Sequence, residues 1–171
     1  MNVKFLNPFV DAAAEVLKAE VELTISRGNL SMQKSALTAN EITVLISLVG
    51  NVQGVVLYGM STQTAQAIVS RILGQEFKEF DTLAQSGIGE LGNVITGRAT
   101  VKLSEAGYQA NISPPTLIIG QGVQISTLDF PRIVVPLNSE VGDIGVHLAL
   151  RESPPDASNT NFIALKSTEN Q

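Results

Sequence analysis

Ser86, Glu90, Asn93 and Gly97 recur at i, i+4, i+7 and i+11, a spacing that puts all four on one face of an α-helix. None of the four is apolar. At about 100° per residue, Ala84, Ile88, Leu91, Ile95, Ala99 and Leu103 gather on the opposite side. The helix would bury that side and hold a carboxylate and a carboxamide outward, one turn apart. A short, rigidly mounted Glu and Asn can grip a partner and place a water molecule.

Any surface helix shows polar residues opposite an apolar stripe, so spacing alone reads first as a solvated face. Two features set this stretch apart. Gly87, Gly89, Gly92 and Gly97 all fall in it, and each costs roughly 0.5–1 kcal/mol against Ala in a helix interior. Such a sequence requires close approach to the helix, by the sheet beneath or by a partner above. The stripe is also unshielded, with no Lys or Arg between Ser86 and Gly97.

The elements that must position this helix can be read from pattern. Residues 8–20 read as a helix, with Asn7 as its cap, Pro8 at its first position and Phe9, Ala13, Val16 and Leu17 as its stripe. Residues 21–27 alternate Val21, Leu23 and Ile25 against polar neighbours, the signature of a half-buried strand. Residues 28–40 read as a loop with an edge strand. A hairpin follows over 42–59, turning through Gly50–Gly54. Ser61 then starts a second helix, with Ala65, Ile68, Val69, Ile72 and Leu73 inward and Gly74 as its stop. Phe77 and Phe80 lead to the long helix from about Thr82 to Ala106, ended by Gly107.

Short extended pieces come next, at Tyr108–Ile112, Leu117–Ile119 and Val123–Ser126, with Ser113-Pro114-Pro115 bending the chain between the first two. Arg132–Leu137 and Ile144–Arg151 form a second hairpin across Asn138–Asp143, where Pro136 predicts an edge strand or a bulge. The fold class is therefore α+β, an antiparallel sheet with long helices packed on it. An internal pseudo-repeat is suggested by NVQGVVLYG and EVGDIGVHLA in matching places, and by Asp11, Glu15 and Lys18 at the spacing of Ser86, Glu90 and Asn93.

Composition narrows the class. The chain has 171 residues, 44% apolar and 16% charged, with a formal charge of −5. That suits one globular domain, here residues 1–152, and argues against nucleic acid and anionic membrane as partners. No Cys is present, so there is neither a disulfide framework nor a thiolate metal site. The start carries Asp11 and Glu15 within its apolar stretch and does not read as a secretory signal. No run approaches about 18 apolar residues, so no membrane span is expected. A cytoplasmic protein is the expectation. Residues 153–171, opening SPPDASNTN, read as a polar tail, disordered or docked through Phe162, Ile163 and Leu165.

The strings GELGNVITGRA (Gly89–Ala99) and SEAGYQANISPPTLIIG (Ser104–Gly120) closely resemble the CheC/CheX/FliY group of chemotaxis phosphatases, its CheX branch most of all. The group's mark is Asp or Ser, three residues, Glu, two residues, Asn, then a Pro about twenty residues on. Here it falls on Ser86, Glu90, Asn93, Pro114 and Pro115. The opening NPFVDAAAEVL also looks like the start of CheX proteins, and the resemblance covers roughly residues 1–151.

The resemblance implies hydrolysis of the phosphoaspartate on a CheY-type response regulator, by a homodimer with one site per chain. Lys18 stands where a second Asn would fall in the first helix. It implies catalytic roles for Glu90 and Asn93, with Ser86, Gly89 and Gly97 meeting the partner and Pro114-Pro115 setting the turn beside the helix. No cofactor belongs to the chain itself, and Mg²⁺ is expected on the regulator. A carboxamide both donates and accepts, so Asn93 can hold a water in line without adding charge against the phosphate. Glu90 is cast as an anchor for the regulator's active-site Lys, with general base as the lesser alternative. Ser86 stands where many relatives have Asp.

Other candidates are weaker. His147 is the only histidine and sits in a predicted strand, so core packing or a surface position accounts for it, and one His without Cys makes no zinc site. Ser113, Ser126 and Ser139 lack a His partner for a triad. Gly50–Gly54 lacks the ending of a phosphate-binding loop, and Asp129, Glu140 and Asp143 show no calcium pattern. Two competing readings remain: a non-catalytic module that binds a regulator or flagellar-switch component through the same face, and a dimerisation domain that covers that face.

Overall fold

A computed structural model describes residues 3–34, 37–38, 40–127 and 130–154. A 3-10 turn, Val3–Phe5, runs straight into helix α1, Leu6–Val21. Short strands β1 (Ser26–Arg27), β2 (Ser31–Gln33) and β3 (Leu37–Thr38) precede the long strands β4 (Ile42–Gly50) and β5 (Val52–Met60). Helices α2 (Thr62–Leu73) and α3 (Thr82–Glu105) follow. The chain then returns to the sheet as β6 (Ala110–Ile112), β7 (Thr116–Ile119), β8 (Gln124–Ile125), β9 (Arg132–Ser139) and β10 (Gly142–Glu152).

The main sheet is antiparallel, in the order β1-β9-β10-β5-β4-β6, with β2 also on β9 and β7 also on β4. Strands β3 and β8 form a separate two-stranded ribbon. The two hairpins β4–β5 and β9–β10 thus lie side by side, joined by the β5–β10 pairing that runs from Gly59↔Gly145 to Val52↔Glu152. Alternation decides which face is covered. Val44, Ile46 and Leu48 of β4, Val56 and Tyr58 of β5, and Val146, Leu148 and Leu150 of β10 are buried in one core with the apolar sides of α1, α2 and α3. On the other face a smaller cluster forms around Leu57, with Leu45, Val55 and Ile125.

Helix ends follow the expected chemistry at α2 and α3. Ser61 accepts from the Thr64 amide at 3.1 Å, and Gly74 closes α2 in the left-handed region at φ 64°. Asp81 accepts from the Ala84 amide at 2.9 Å. At α1 the expectation fails. Asn7 is inside the helix and Phe5 is the capping position, with no side-chain bond. Burial of Phe5 and Leu6 extends the helix backwards, and Pro8 still falls in the first turn, where no amide donor is needed.

Residues 21–27 are also corrected. Val21 ends α1, Glu22 turns the chain at φ 56°, and only Ser26–Arg27 forms a ladder. Val21 and Leu23 are buried in the main core as the alternation required, but neither lies in a strand. Both hairpin turns are tighter than expected. Gly54 lies within β5, where a Cβ would strike the Ala149 carbonyl oxygen of β10. Pro136 sits in β9 opposite the break between β1 and β2, and its carbonyl accepts from the Gly28 amide at 2.8 Å. The missing proline N–H therefore interrupts no ladder that the edge strands need.

The described chain runs past β10 to Ser153, whose amide donates to the Asn51 carbonyl at 2.8 Å. The tail expected to be disordered or docked, with Phe162, Ile163 and Leu165, lies outside the described residues, as does Asp129. Among the described residues no helix is long and apolar enough to cross a membrane.

Helix α3 touches the sheet most closely at Gly92. A Cβ there would lie 2.9 Å from Val44 Cγ1 and 3.5 Å from Tyr58 Cδ2. Gly92→Ala is expected to lower stability by about 1–3 kcal/mol through overpacking, more than the helix propensity it gains. A fall in the urea midpoint at constant m-value measures it, and an unchanged midpoint would show that the contact has slack.

Candidate active site

The predicted inner face of α3 is the one buried: Ala84, Ile88, Leu91, Ile95, Ala99 and Leu103 all pack into the core. The outward face carries Ser86 and Glu90, both exposed, and Asn93, half-buried. On a helix, residues three apart are neighbours, with Cβ atoms about 5–6 Å apart, so Glu90 and Asn93 lie side by side. Among the described residues, neither their side chains nor the Ser86 hydroxyl makes a hydrogen bond or ion pair. Carboxylate, carboxamide and hydroxyl are all presented to whatever lies over the helix.

The remaining predicted site residues divide. Gly97 is half-buried, and the space where its Cβ would stand is open. Gly89, expected to meet a partner, is instead buried: a Cβ there would lie 3.1 Å from Leu117 Cδ1 and 3.6 Å from Pro115 Cγ. One residue back from Glu90 is about 100° around the helix, which turns position 89 towards β7. Gly89 thus admits the chain's own strand rather than another protein.

Pro114 is exposed and Pro115 half-buried against that glycine. The bend they make is fixed to β4 by Ser113, whose amide donates to the Ser47 carbonyl at 3.0 Å and whose Oγ accepts from the Ser47 amide at 2.9 Å. Strands β6 and β7 are in effect one edge strand along β4, broken where the prolines pass α3.

Two residues that sequence reasoning did not single out hold the centre of α3. The Thr96 hydroxyl donates to the Gly92 carbonyl at 2.7 Å, which leaves its oxygen to accept from Tyr58 Oη at 2.8 Å. Both are buried. The bond lies one turn from Asn93 and ties the helix, through Thr96, to β5. A Tyr facing a Thr in an apolar interior is the only signal, and it needs the fold to be seen.

The motif's echo in α1 has a different fate. Glu15 Oε1 accepts from Lys102 Nζ at 2.7 Å and Oε2 from Arg98 Nε at 2.9 Å. The bonds to Lys102 and then Arg98 hold its carboxyl below the usual range. Lys18 donates to Thr24 Oγ1 at 3.4 Å. Glu15 is occupied in fastening α1 to α3, whereas Glu90 is not engaged. His147 lies half-buried on β10, away from this face, and burial, with Arg132 nearby, pushes its imidazole down to about 4.

The family model described as chemotaxis phosphatase CheX matches residues 42–138, more than half of the chain. The chain belongs to the CheX family. A similar relative is the CheY-P phosphatase CheX of Thermotoga maritima, 27% identical over 153 residues, covering 88% of this chain and 98% of that protein. A CheC-like superfamily protein from Shewanella sp. PV-4 superposes with a TM-score of 0.80 at 27% identity, over 88% of this chain and 99% of that one. CheX of Borrelia burgdorferi, solved as a complex with CheY, BeF3 and Mg²⁺, gives a TM-score of 0.74 at 26% identity, over 88% of this chain and all of that one. The CheX match spans both the Glu90–Asn93 helix and the Pro114-Pro115 bend.

In this CheX-family chain, Tyr58 supplies a pH signature of the helix mount. Burial raises its phenol above the ordinary value of 10. Above pH 10 the unfolded chain loses this proton and the folded chain keeps it, so stability falls as pH rises. Tyr58→Phe is expected to flatten that fall by one proton and to cost about 1 kcal/mol at neutral pH. Urea titrations of both proteins at pH 8 to 11 check it, and parallel slopes would sink it.

Proposed function

We propose that the chain hydrolyses the phosphoaspartate of a CheY-type response regulator, with Asn93 aiming the attacking water and Glu90 anchoring the regulator. The observation that supports this most directly is the unengaged Glu90–Asn93 pair on the outward face of a helix fixed at Gly92 and Thr96. The CheX relative named as a CheY-P phosphatase, and the one solved with CheY, are 27% and 26% identical to this chain, and they supply the substrate class.

An acyl phosphate has a good leaving group, so the reaction lacks chiefly a positioned nucleophile. The Asn93 carbonyl can accept one hydrogen of a water while its NH₂ donates to a phosphoryl oxygen. The water oxygen then bonds to phosphorus as the P–O bond to the aspartyl carboxylate breaks. The products are Asp and inorganic phosphate, and the water's proton passes to the phosphate or to solvent. The departing carboxylate needs no proton, which favours an anchoring Glu90 over a general base. Stabilising phosphoryl charge is left to the regulator, whose Mg²⁺ and Lys the resemblance implies. The family resemblance also supports a homodimer in the cytoplasm, and sedimentation of the purified chain tests the dimer.

Asn93→Ala is expected to reduce phosphate release from a phosphorylated CheY-type regulator by about a hundredfold or more, with an unchanged urea midpoint. Full turnover in that variant would reduce the helix face to a binding surface. Glu90→Ala removes a charge-assisted contact and is expected to raise KM roughly ten- to a hundredfold with kcat largely kept. A fall in kcat at unchanged affinity would assign Glu90 the role of base.

A further inference from the structure

The outward face of α3 is wider than the polar stripe. Leu83 is 51% exposed, Val94 39% and Leu73, at the end of α2, 41%. The helical stripe along α2 predicts Leu73 inward, but α2 ends there and Gly74 turns the chain away, so the side chain opens onto the gap between α2 and α3. That gap is a groove of about 460 Å³ walled by Ile72, Leu73, Leu83 and Val94, with the carboxylates of Glu20 and Glu90 on it. Among the described residues no Lys or Arg lines it. An apolar trough edged by acids alone is complementary to a surface that pairs an apolar side chain with a cation.

We propose that this groove is the docking subsite for the regulator. It receives an apolar side chain from the rim of the phosphoaspartate pocket and draws a neighbouring Lys or Arg of the same segment towards Glu20. Continuity with the reacting pair fixes the occupant. Ser86 and Glu90 belong both to the groove and to the catalytic face, so a receiver domain whose phosphoaspartate reaches Asn93 must lie over the groove. Glu90 is committed to the regulator's active-site cation, which leaves Glu20, on the last turn of α1, as the determinant for a second one. Leu73, Leu83 and Glu20 would then decide which receiver domains are accepted while touching no reacting atom.

The inference rests on the phosphatase reading, and one experiment separates the two. The full chain, its Leu73→Ser/Leu83→Ser double variant and its Glu20→Lys variant are titrated with a CheY-type receiver domain carrying beryllofluoride. The same proteins are assayed for turnover of the phosphorylated domain. All three substituted positions are exposed, and thermal unfolding confirms that the variants fold.

The expected result is a Kd and KM raised at least tenfold in both variants, with kcat within twofold of the parent. Unchanged Kd and KM in folded variants overturns the groove and leaves the phosphatase reading standing. A change in molar mass of the double variant with unchanged KM also overturns it, assigning the groove to a second copy of the chain. Binding by the parent without turnover, lost in the variants, supports the groove and removes the phosphatase reading.

Discussion

Everything at the site depends on how closely α3 is allowed to lie on the β4–β5 hairpin. The helix presses on the sheet at Gly92, where only a hydrogen fits against Val44, and is tied one turn later by the Tyr58–Thr96 bond. These contacts flank Asn93 on the buried side. A binding or catalytic group works only if its mount holds it within about 0.5 Å, and a surface helix resting on ordinary apolar packing slides more easily than one fixed at a hydrogen bond and a glycine. The cost of glycine in a helix is thereby exchanged for placement of the next residue along.

The four glycines of the stretch resolve into different tasks. Gly92 admits the sheet and Gly89 admits β7, while Gly87 would bring a Cβ to 3.6 Å from Val69 of α2. Only Gly97 faces open space. At three of these glycines the helix is approached by its own protein, α1 packs beside it as well, and the sector holding Ser86, Glu90 and Val94 stays exposed. Alanine at position 89 would meet Leu117 at 3.1 Å, so the proline bend and the helix are fitted to each other, and the motif's downstream proline is explained by packing rather than by chemistry.

Much of this was legible in the sequence. The helical stripe located the buried side of α3, Ser61 and Gly74 bounded α2, and alternation found both long hairpins. The misses share one cause. Asn7, Val21, Leu73 and Gly89 each have a local signal that tertiary contacts override: Phe5 and Leu6 are buried ahead of Asn7, Val21 and Leu23 alternate but join the core outside any strand, α2 ends at Leu73 with its side chain exposed, and β7 crosses at Gly89. Periodicity reports which side of a residue is apolar, but not whether another element covers it. The exposed Leu83 and Val94 were missed for the same reason, since both lie on one side of the polar stripe, roughly 20° and 40° beyond Glu90 around the helix, where periodicity does not tell an open position from a covered one.

Helix α1 carries the same spacing with its groups already engaged. It carries a carboxylate at the position equivalent to Glu90, on a helix packed beside α3, so geometry alone does not disqualify it. Its Glu15 is flanked by Arg98 and Lys102 from α3, and its third position is Lys18 rather than an amide. A carboxylate with two cations at hydrogen-bond distance has little left to offer a partner's lysine, and a Lys cannot accept from a water. These ion pairs are solvent-exposed and screened, so they add little stability; what they do is occupy the carboxylate of α1, whereas the carboxylate of Glu90 on α3 stays unengaged.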